Sequence, residues 1–376
     1  MAFSFKRMFA VTKKETIEMV RDPLRIVANF IVPLVLMFLF SSGMNLDIKN
    51  IPFVVLDFDN STESRQYSDS YINSDYYDYL GHIYSSKDAD RLMQLGKIKF
   101  YLDIPSGFGR QLLSQKGAQI AVFVDGTQPF RAESIKGYVS GTNMIYLRNK
   151  LTEDYGAGSG ISNYSIKSRY WYNQASESKF TFVPGVIVVI LMTIPAVMMT
   201  LSIVGEKEAG TITNFYATPL TKLEFLFGKQ LVYLIIFFIV YLILTAVAVF
   251  FYKVPIKGSF TILTLLSIIY ILSTTSIGLL VSSFVKSQIA GLLITMIMTM
   301  IPAFTFSGLL TPISSLDKSG QFMSLLYPTS YFMHSTLGTF TKNIPISSIL
   351  PNFLWITLFY AVIMSACVKL LKKQDK

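Results

Sequence analysis

Apolar residues in this chain fall into long unbroken runs, and that pattern decides its architecture before any single residue does. Five runs, 24–43, 181–204, 230–252, 259–285 and 287–310, reach the roughly twenty residues with which a helix crosses a ~30 Å hydrocarbon layer. A sixth, 349–368, is more polar but uncharged. An even number of crossings places both termini on one side. Between the first and second runs, short stretches of strand character alternate with polar helical ones. Strands are expected over 52–57, 82–85, 97–104 and 119–125, and helices over 61–70, 87–95, 107–115 and 131–151. That alternation is the mark of an α/β layer. The expected fold is an α-helical polytopic membrane protein, six transmembrane helices with an inserted α/β extracytoplasmic domain over 44–180. Asp57 and Asp59, at the end of the first strand, are expected to cap the helix that follows.

Residues 1–23 are different again. Phe3, Phe5, Met8, Phe9 and Val11 alternate with Lys6, Arg7, Lys13 and Lys14, which predicts a helix lying in the membrane interface with its lysines reaching toward headgroups. Arg21-Asp22-Pro23 then turns the chain into the first run. That run is too long, and its charged preface too extended, for a cleaved signal peptide. Residues 156–160, all glycine, alanine or serine, read as a flexible joint, and Tyr170-Trp171-Tyr172 as an aromatic belt near the lipid surface.

Composition agrees with a membrane chain: 52% of residues are hydrophobic and only 15% charged. The net charge of +10 is unevenly placed. Residues 44–180 hold 15 Lys/Arg against 15 Asp/Glu, whereas the two tails and the polar turns on their side hold 14 basic residues against seven acids. Positive-inside bias puts that side in the cytoplasm, with Lys253 and Lys257 on the opposite side. The basic excess thus reports topology, with anionic membrane lipids as its partners. No basic stripe interleaved with stacking aromatics points to nucleic acid.

Candidate chemistry is sparse. The lone Cys367 sits in the last run, so the inserted domain folds without disulfides. His82 and His334 have no partner at metal-ligand spacing, and Ser114 and Ser140 have no histidine to activate them. Asn60-Ser61-Thr62 and Asn163-Tyr164-Ser165 match a glycosylation pattern short enough to arise by chance. No glycine-rich loop ends in Gly-Lys-Ser/Thr, so a P-loop nucleotide site is not written in the chain. Within the boundaries above, runs two to six contain no Asp, Glu, Lys, Arg or His, unlike ion-coupled carriers. Energy for transport must then enter from outside the membrane.

The place for it is the polar segment 205–229. Glu206, Lys207 and Glu208 open it, Gly210-Thr211 follow, and Ile212, Phe215 and Tyr216 share one face of a short helix before Thr218-Pro219 ends it. Such a helix is either a docking element for another protein or a solvated turn. In the fourth and fifth runs Ser273, Thr274, Thr275, Ser276, Thr295 and Thr299 supply uncharged hydroxyls, which either line a cargo path or bond within their own helices.

In that order along nearly the whole chain, several fragments resemble ABC-2 type permease subunits, in the group with a large external domain between the first two spans. The fragments are Arg21-Asp22-Pro23, Val54-Val55-Leu56-Asp57, the turn with Glu206, Glu208, Gly210-Thr211, Thr218-Pro219-Leu220 and Gly228-Lys229, Pro302 with Ser307-Gly308, and Tyr327-Pro328 with Tyr331-Phe332. The resemblance implies a bacterial inner-membrane exporter of amphipathic, drug-like or lipid-like molecules. It implies two permease subunits, identical or different, and a separate ABC ATPase that carries the ATP and Mg; this chain would hold no cofactor or metal and be no enzyme. A periplasmic adaptor is a further partner on that reading. Residues 205–222 become the coupling helix, with Glu206, Glu208, Gly210, Thr211, Phe215 and Pro219 at the ATPase. Ser273, Thr274, Thr275, Thr295 and Thr299 become the translocation path, and 312–341 a re-entrant segment on the outer side. Small residues at Ser307-Gly308 are expected to serve close helix packing. A membrane scaffold or surface receptor using the inserted domain, and a secondary carrier, are the alternatives.

Overall fold

The computed structural model describes residues 3–43, 50–114, 118–126, 129–155, 179–212 and 218–370. The joint at 156–160, the aromatic belt at 170–172 and Asn163 lie outside them. The chain divides into two compact units, residues 1–45 with 175–376, and residues 46–174.

Among the described residues of the first unit, six helices are long and apolar enough to span: α2 (Pro23–Gly43), α7 (Lys179–Glu208), α8 (Lys222–Ala246), α9 (Phe260–Phe284), α10 (Gln288–Thr305) and α13 (Ile346–Leu370). A preceding helix, α1, covers Phe5–Arg21. The hub is α7. It is apolar all round from Phe182 to Val204, and nearly all of that stretch is buried, as such a helix must be at the centre of a bundle. Small residues on its neighbours let them close on it. A Cβ at Gly278 of α9 would sit 2.2 Å from the Ala196 carbonyl oxygen, and one at Gly291 of α10 would sit 3.0 Å from Thr200 Cγ2. Polar cross-links fix the rest. Tyr270 donates to the Val188 carbonyl at 3.1 Å, and Gln230 of α8 donates to Thr275 of α9 while accepting from Tyr360 of α13 at 3.0 Å. By contrast α2, α10 and α13 keep large apolar side chains exposed, among them Ile31, Leu39, Leu293, Ile297, Leu354 and Trp355.

One end of this bundle gathers α1, the connection between α7 and α8, the turn between α9 and α10, and the last turn of α13, whose Val368 carbonyl accepts from Lys222. At the other end the backbone N–H groups of Lys257 and Gly258 both donate to the Thr339 carbonyl. That contact joins the loop after α8 to residues 312–341, which form α11 (Lys318–Leu326) and α12 (Pro328–Leu337), too short to span. Pro328 opens α12 at its first turn, and beyond Leu337 the chain continues as a π-helical turn, Gly338–Lys342. The fifth span also ends sooner than the apolar pattern predicts. It stops at Thr305, because Gly308 takes a left-handed φ of 86° and Ser307 accepts the Leu309 N–H in the turn. Ser307-Gly308 therefore make a turn, not a helix contact.

The second unit is a four-stranded sheet of order β2-β1-β3-β4. Strands β1 (Ile51–Asp57), β2 (Tyr77–Ile83) and β3 (Phe100–Ile104) are parallel, and β4 (Ala121–Val124) is antiparallel to β3. Helices α3 (Thr62–Ile72), α4 (Ser86–Gln94), α5 (Phe108–Leu113) and α6 (Pro129–Tyr155) surround it. The unbroken apolar run of β1 follows from burial on both faces: Phe53 and Val55 pack toward Tyr67, Tyr71, Phe100 and Val139, and Val54 toward Ala89, Ile98 and Tyr101. The second strand begins five residues before its expected start, at Tyr77, where aromatic side chains replace the usual aliphatic signal. Capping also differs. Ser61, not an aspartate, caps α3 through the Ser64 N–H; Asp57 closes the loop by accepting from Asp59 N, Asn60 N and Ser64 Oγ; Asp59 accepts from Gly107 N and Gly109 N at the start of α5.

Two substitutions test these two cores. Gly278→Ala is expected to lower the thermal unfolding midpoint in detergent through overpacking against α7, a cost of about 1–3 kcal/mol. In the inserted domain Tyr67 and Tyr71 both donate to Asn143 Oδ1, at 2.5 and 2.7 Å. Asn143→Leu leaves two buried hydroxyls short of an acceptor and is expected to cost about 1–3 kcal/mol, read by near-ultraviolet circular dichroism on heating.

Candidate functional site

The charged residues at the helix-end junction are not a solvated turn. Helix α8 begins at Lys222, eight residues ahead of the predicted third span, and its Thr221 cap forms a reciprocal capping box with Glu224. This draws Glu224 and Lys229 into a helix whose face is covered by α1. Contact is close because Gly228 lacks a side chain: a Cβ there would lie 2.8 Å from Val11 Cβ and 2.9 Å from the Met8 carbonyl. Thr12 donates to the Gly228 carbonyl at 2.9 Å, and Arg7 grips Glu224 through Nε and Nη2 at 2.7–3.1 Å.

Lys229 is 1% exposed. Its ammonium donates to Glu15 Oε2 of α1 at 2.6 Å and to Ser202 Oγ of α7 at 2.8 Å, and lies 3.3 Å from Glu206 Oε2. Ser202 in turn donates to Glu15 Oε1 at 2.6 Å, and Tyr233 reaches the same oxygen at 3.3 Å. Glu206 Oε1 accepts from Lys14 at 2.7 Å, so one carboxylate bridges α1 and α8 from the end of α7. Arg7 and Lys14 therefore bind acids of this chain. Burial favours the neutral form of Glu15, but the charge and hydrogen bond of Lys229, the Ser202 hydroxyl and the charge of Arg25 outweigh it and hold the carboxyl below its ordinary 4.5. Partial burial of Lys14 is likewise outweighed by Glu206 and Glu18, and its ammonium is held above 10.5. The carboxylates of Glu15, Glu18 and Glu206 converge within 4.8 Å, as a metal site would require. Lys229 and Lys14 lie among them, so ammonium groups supply the neutralising charge.

Glu206 is the first of three consecutive charges, each bound to different helices. Lys207 donates to the Ser282 carbonyl at 2.5 Å, at the C-terminal end of α9. Glu208 accepts from the Gln288 N–H at 3.3 Å and Gln288 Nε2 at 2.8 Å, at the first turn of α10. Beyond them the chain turns at Gly210, with φ of 72°. Ala209, Gly210, Thr211, Thr218 and Pro219 are exposed, while Ile212 is tucked in at 7%. Phe215 and Tyr216 lie outside the described residues. Behind this edge is a cavity of about 290 Å³, lined by Val11, Ile212, Leu220 and Phe225 with the Lys229 network at its side.

The hydroxyl residues of α9 and α10 sit elsewhere. Ser273, Thr274, Thr275, Ser276, Thr295 and Thr299 are all fully buried, and each donates to a carbonyl three or four residues earlier in its own helix. Ser273 also meets the Ile356 carbonyl, and Thr295 meets Thr200, so they knit helices of this chain together. His334 pairs with Asn352 Nδ2 at 3.1 Å. Sequence reading missed Glu15, Ser202, Lys229 and Tyr233 as one group. A signal existed: Val11, Glu15 and Met19 recur at helical spacing, an acid inside an apolar stripe, and Lys229 follows a glycine at the mouth of an uninterrupted apolar run.

A six-span helical body with an α/β insertion, and a charged junction where its helices meet the connection after the second span, defines a multi-pass membrane protein of the transport-permease class. Residues 26–368 match the family described as "ABC-2 family transporter protein", and the chain belongs to that family. It is 30% identical to the "Probable multidrug ABC transporter permease YbhS" of Escherichia coli (strain K12) over 91% of each chain. The "Probable multidrug ABC transporter permease YbhR" of the same organism is 24% identical over 93% of this chain and 94% of its own. The "Inner membrane transport permease YhhJ", again from that strain, is 26% identical over 81% and 80%. Such permeases work in pairs with ABC ATPases, and membership implies both partners.

Removing one half of the buried pair should be worse than removing both. Lys229→Met leaves Glu15 uncompensated and is expected to cost about 3–5 kcal/mol, while Lys229→Met with Glu15→Leu recovers most of it, as read by thermal unfolding of the purified permease. Because the Glu15 pKa is depressed by folding, its contribution is complete above about pH 4.5 and is lost as pH falls through the lowered value. Wild type should therefore lose stability steeply on acidification below pH 4.5, and the double variant less so.

Proposed function

We propose that this chain is the transmembrane subunit of an ABC-2 exporter of amphipathic, drug-like or lipid-like molecules, energised by a separate ATPase that carries the nucleotide and Mg. The observation that carries the reading is the distribution of contacts at the end of α7. An exposed edge, Ala209–Thr211 and Thr218–Pro219, stands in front of three charges that hold α1, α8, α9 and α10. A partner seated on that edge would push on all four helices and on the central α7 together. Gly210, Thr211, Phe215 and Pro219 form the docking face in this reading, and Glu206 and Glu208 work behind it by tying the face to the bundle.

The hydroxyls of Ser273, Thr274, Thr275, Thr295 and Thr299 are already engaged within the chain. Cargo is therefore assigned to the surface shared with a second permease subunit, where α2 and α10 leave apolar side chains uncovered. Such a surface suits amphipathic molecules arriving from lipid. On this reading the docking edge, α1 and both termini face the cytoplasm of a bacterium, the inserted domain and residues 312–341 lie outside, and the latter form the re-entrant segment.

Affinity capture tests the reading. Tagged permease should retain an ATP-hydrolysing subunit from its own membranes. Thr211→Arg with Thr218→Arg, two exposed positions at the rim of the cavity beside the ion network, should weaken that retention about tenfold or more, the effect of ~1.4 kcal/mol, with the thermal unfolding midpoint measured alongside to show that the network is intact. Undiminished retention would remove this edge as the docking face. ATP-independent pumping by the chain alone in vesicles would remove the reading altogether.

A further inference from the structure

Lys207 and Glu208 occupy the two helix ends that flank one turn, with the charge that each end prefers. The last carbonyls of an α-helix and the first N–H groups have no partner within the helix, and they carry partial negative and positive charge respectively. Helix α9 ends at Phe284, and Lys207 donates to the Ser282 carbonyl, with its ammonium 3.5 Å from the Val285 carbonyl. Helix α10 begins at Gln288, and its cap residue Ser287 makes no side-chain capping bond. The Glu208 carboxylate supplies the missing acceptor to the Gln288 N–H. The Gln288 side chain lies alongside Gly205 of the same last turn, within van der Waals reach of a Cβ there. Solvated charges on a simple surface turn have no reason to pair with both helix ends in this sense.

We infer that Lys207 and Glu208 are positioning residues that carry displacement of the α7–α8 connection into the α9–α10 turn. Glu206 holds the connection to α1 and α8, whereas this pair holds it to the other half of the bundle. Inverting the two charges would place a carboxylate against carbonyls and an ammonium against N–H groups, without changing net charge or touching the exposed edge at Thr211. The inference rests on the ATPase-driven reading above, and its test separates the two.

Hydrogen–deuterium exchange is measured on the purified permease–ATPase complex, with and without ATP and vanadate. In the wild type, exchange is expected to change over both 205–212 and 285–291. In Lys207→Glu with Glu208→Lys the response over 285–291 should be lost while that over 205–212 persists; Lys207→Arg with Glu208→Asp should keep both. If the inverted variant does not fold, Glu208→Gln alone should reduce the response over 285–291. A wild type in which 205–212 responds and 285–291 does not would overturn the clamp, as would an undiminished 285–291 response in the inverted variant. A wild type in which 205–212 itself ignores nucleotide would overturn the docking reading instead.

Discussion

A lysine ammonium with 1% exposure can stay charged inside a protein only where carboxylates and hydroxyls replace its water, and Lys229 imposes that condition on three helices at once. Glu15 must come from α1, Ser202 and Glu206 from α7, and α8 must present Lys229 between them. Gly228 is what permits it, since α1 could not approach closely enough over any larger residue. The packing of α1 on the bundle, the burial of its Val11–Glu15–Met19 stripe and the direction in which the chain leaves α7 all follow from satisfying this one cation. Such pairs contribute little net stability compared with an apolar core of the same shape, so what the network adds is a fixed geometry.

That geometry makes the end of α7 a junction. Its central stretch touches nearly every other spanning helix through apolar and small-residue contacts, and its last turn reaches α1, α8 and the facing ends of α9 and α10 through Glu206, Lys207 and Glu208. A force applied just beyond Glu208 therefore meets a rigid element coupled to the whole membrane unit. For a member of the ABC-2 family, a lever of this kind is what being driven by a partner ATPase, as proposed above, would require.

The spans and the inserted α/β domain were legible from sequence because burial writes its period directly into the residues. All six spans and each of the eight elements of the insertion appear near their expected positions. Errors cluster where local signals compete with tertiary contacts. The apolar pattern starts the third span at Gln230, since Glu224 and Lys229 look like interface charges until α1 is seen to cover them. The same pattern carries the fifth span to Leu310, since the apolar run continues through the turn that Gly308 makes. Tyr77 and its neighbours hid the start of β2, because aromatic core positions are silent in a pattern read for aliphatic residues. Of the site, the acid-base-acid run at 206–208 is visible, but its partners Lys14, Ser282 and Gln288, 192, 75 and 80 residues away in the chain, are not. Periodicity can mark Glu15 as buried, but it does not name the partner that the acid meets.

The central claim is that the α7–α8 connection and the α9–α10 turn move as one body when nucleotide acts on a bound ATPase. Spin labels at the exposed positions Thr211 and Ser287, in the reconstituted complex, measure it directly by electron–electron resonance distances. A narrow distribution that stays fixed between apo and ATP–vanadate states, while the distance from Thr211 to a label at Leu354 changes, is the predicted result. A Thr211–Ser287 separation that is broad, or that shifts with nucleotide, would contradict the account.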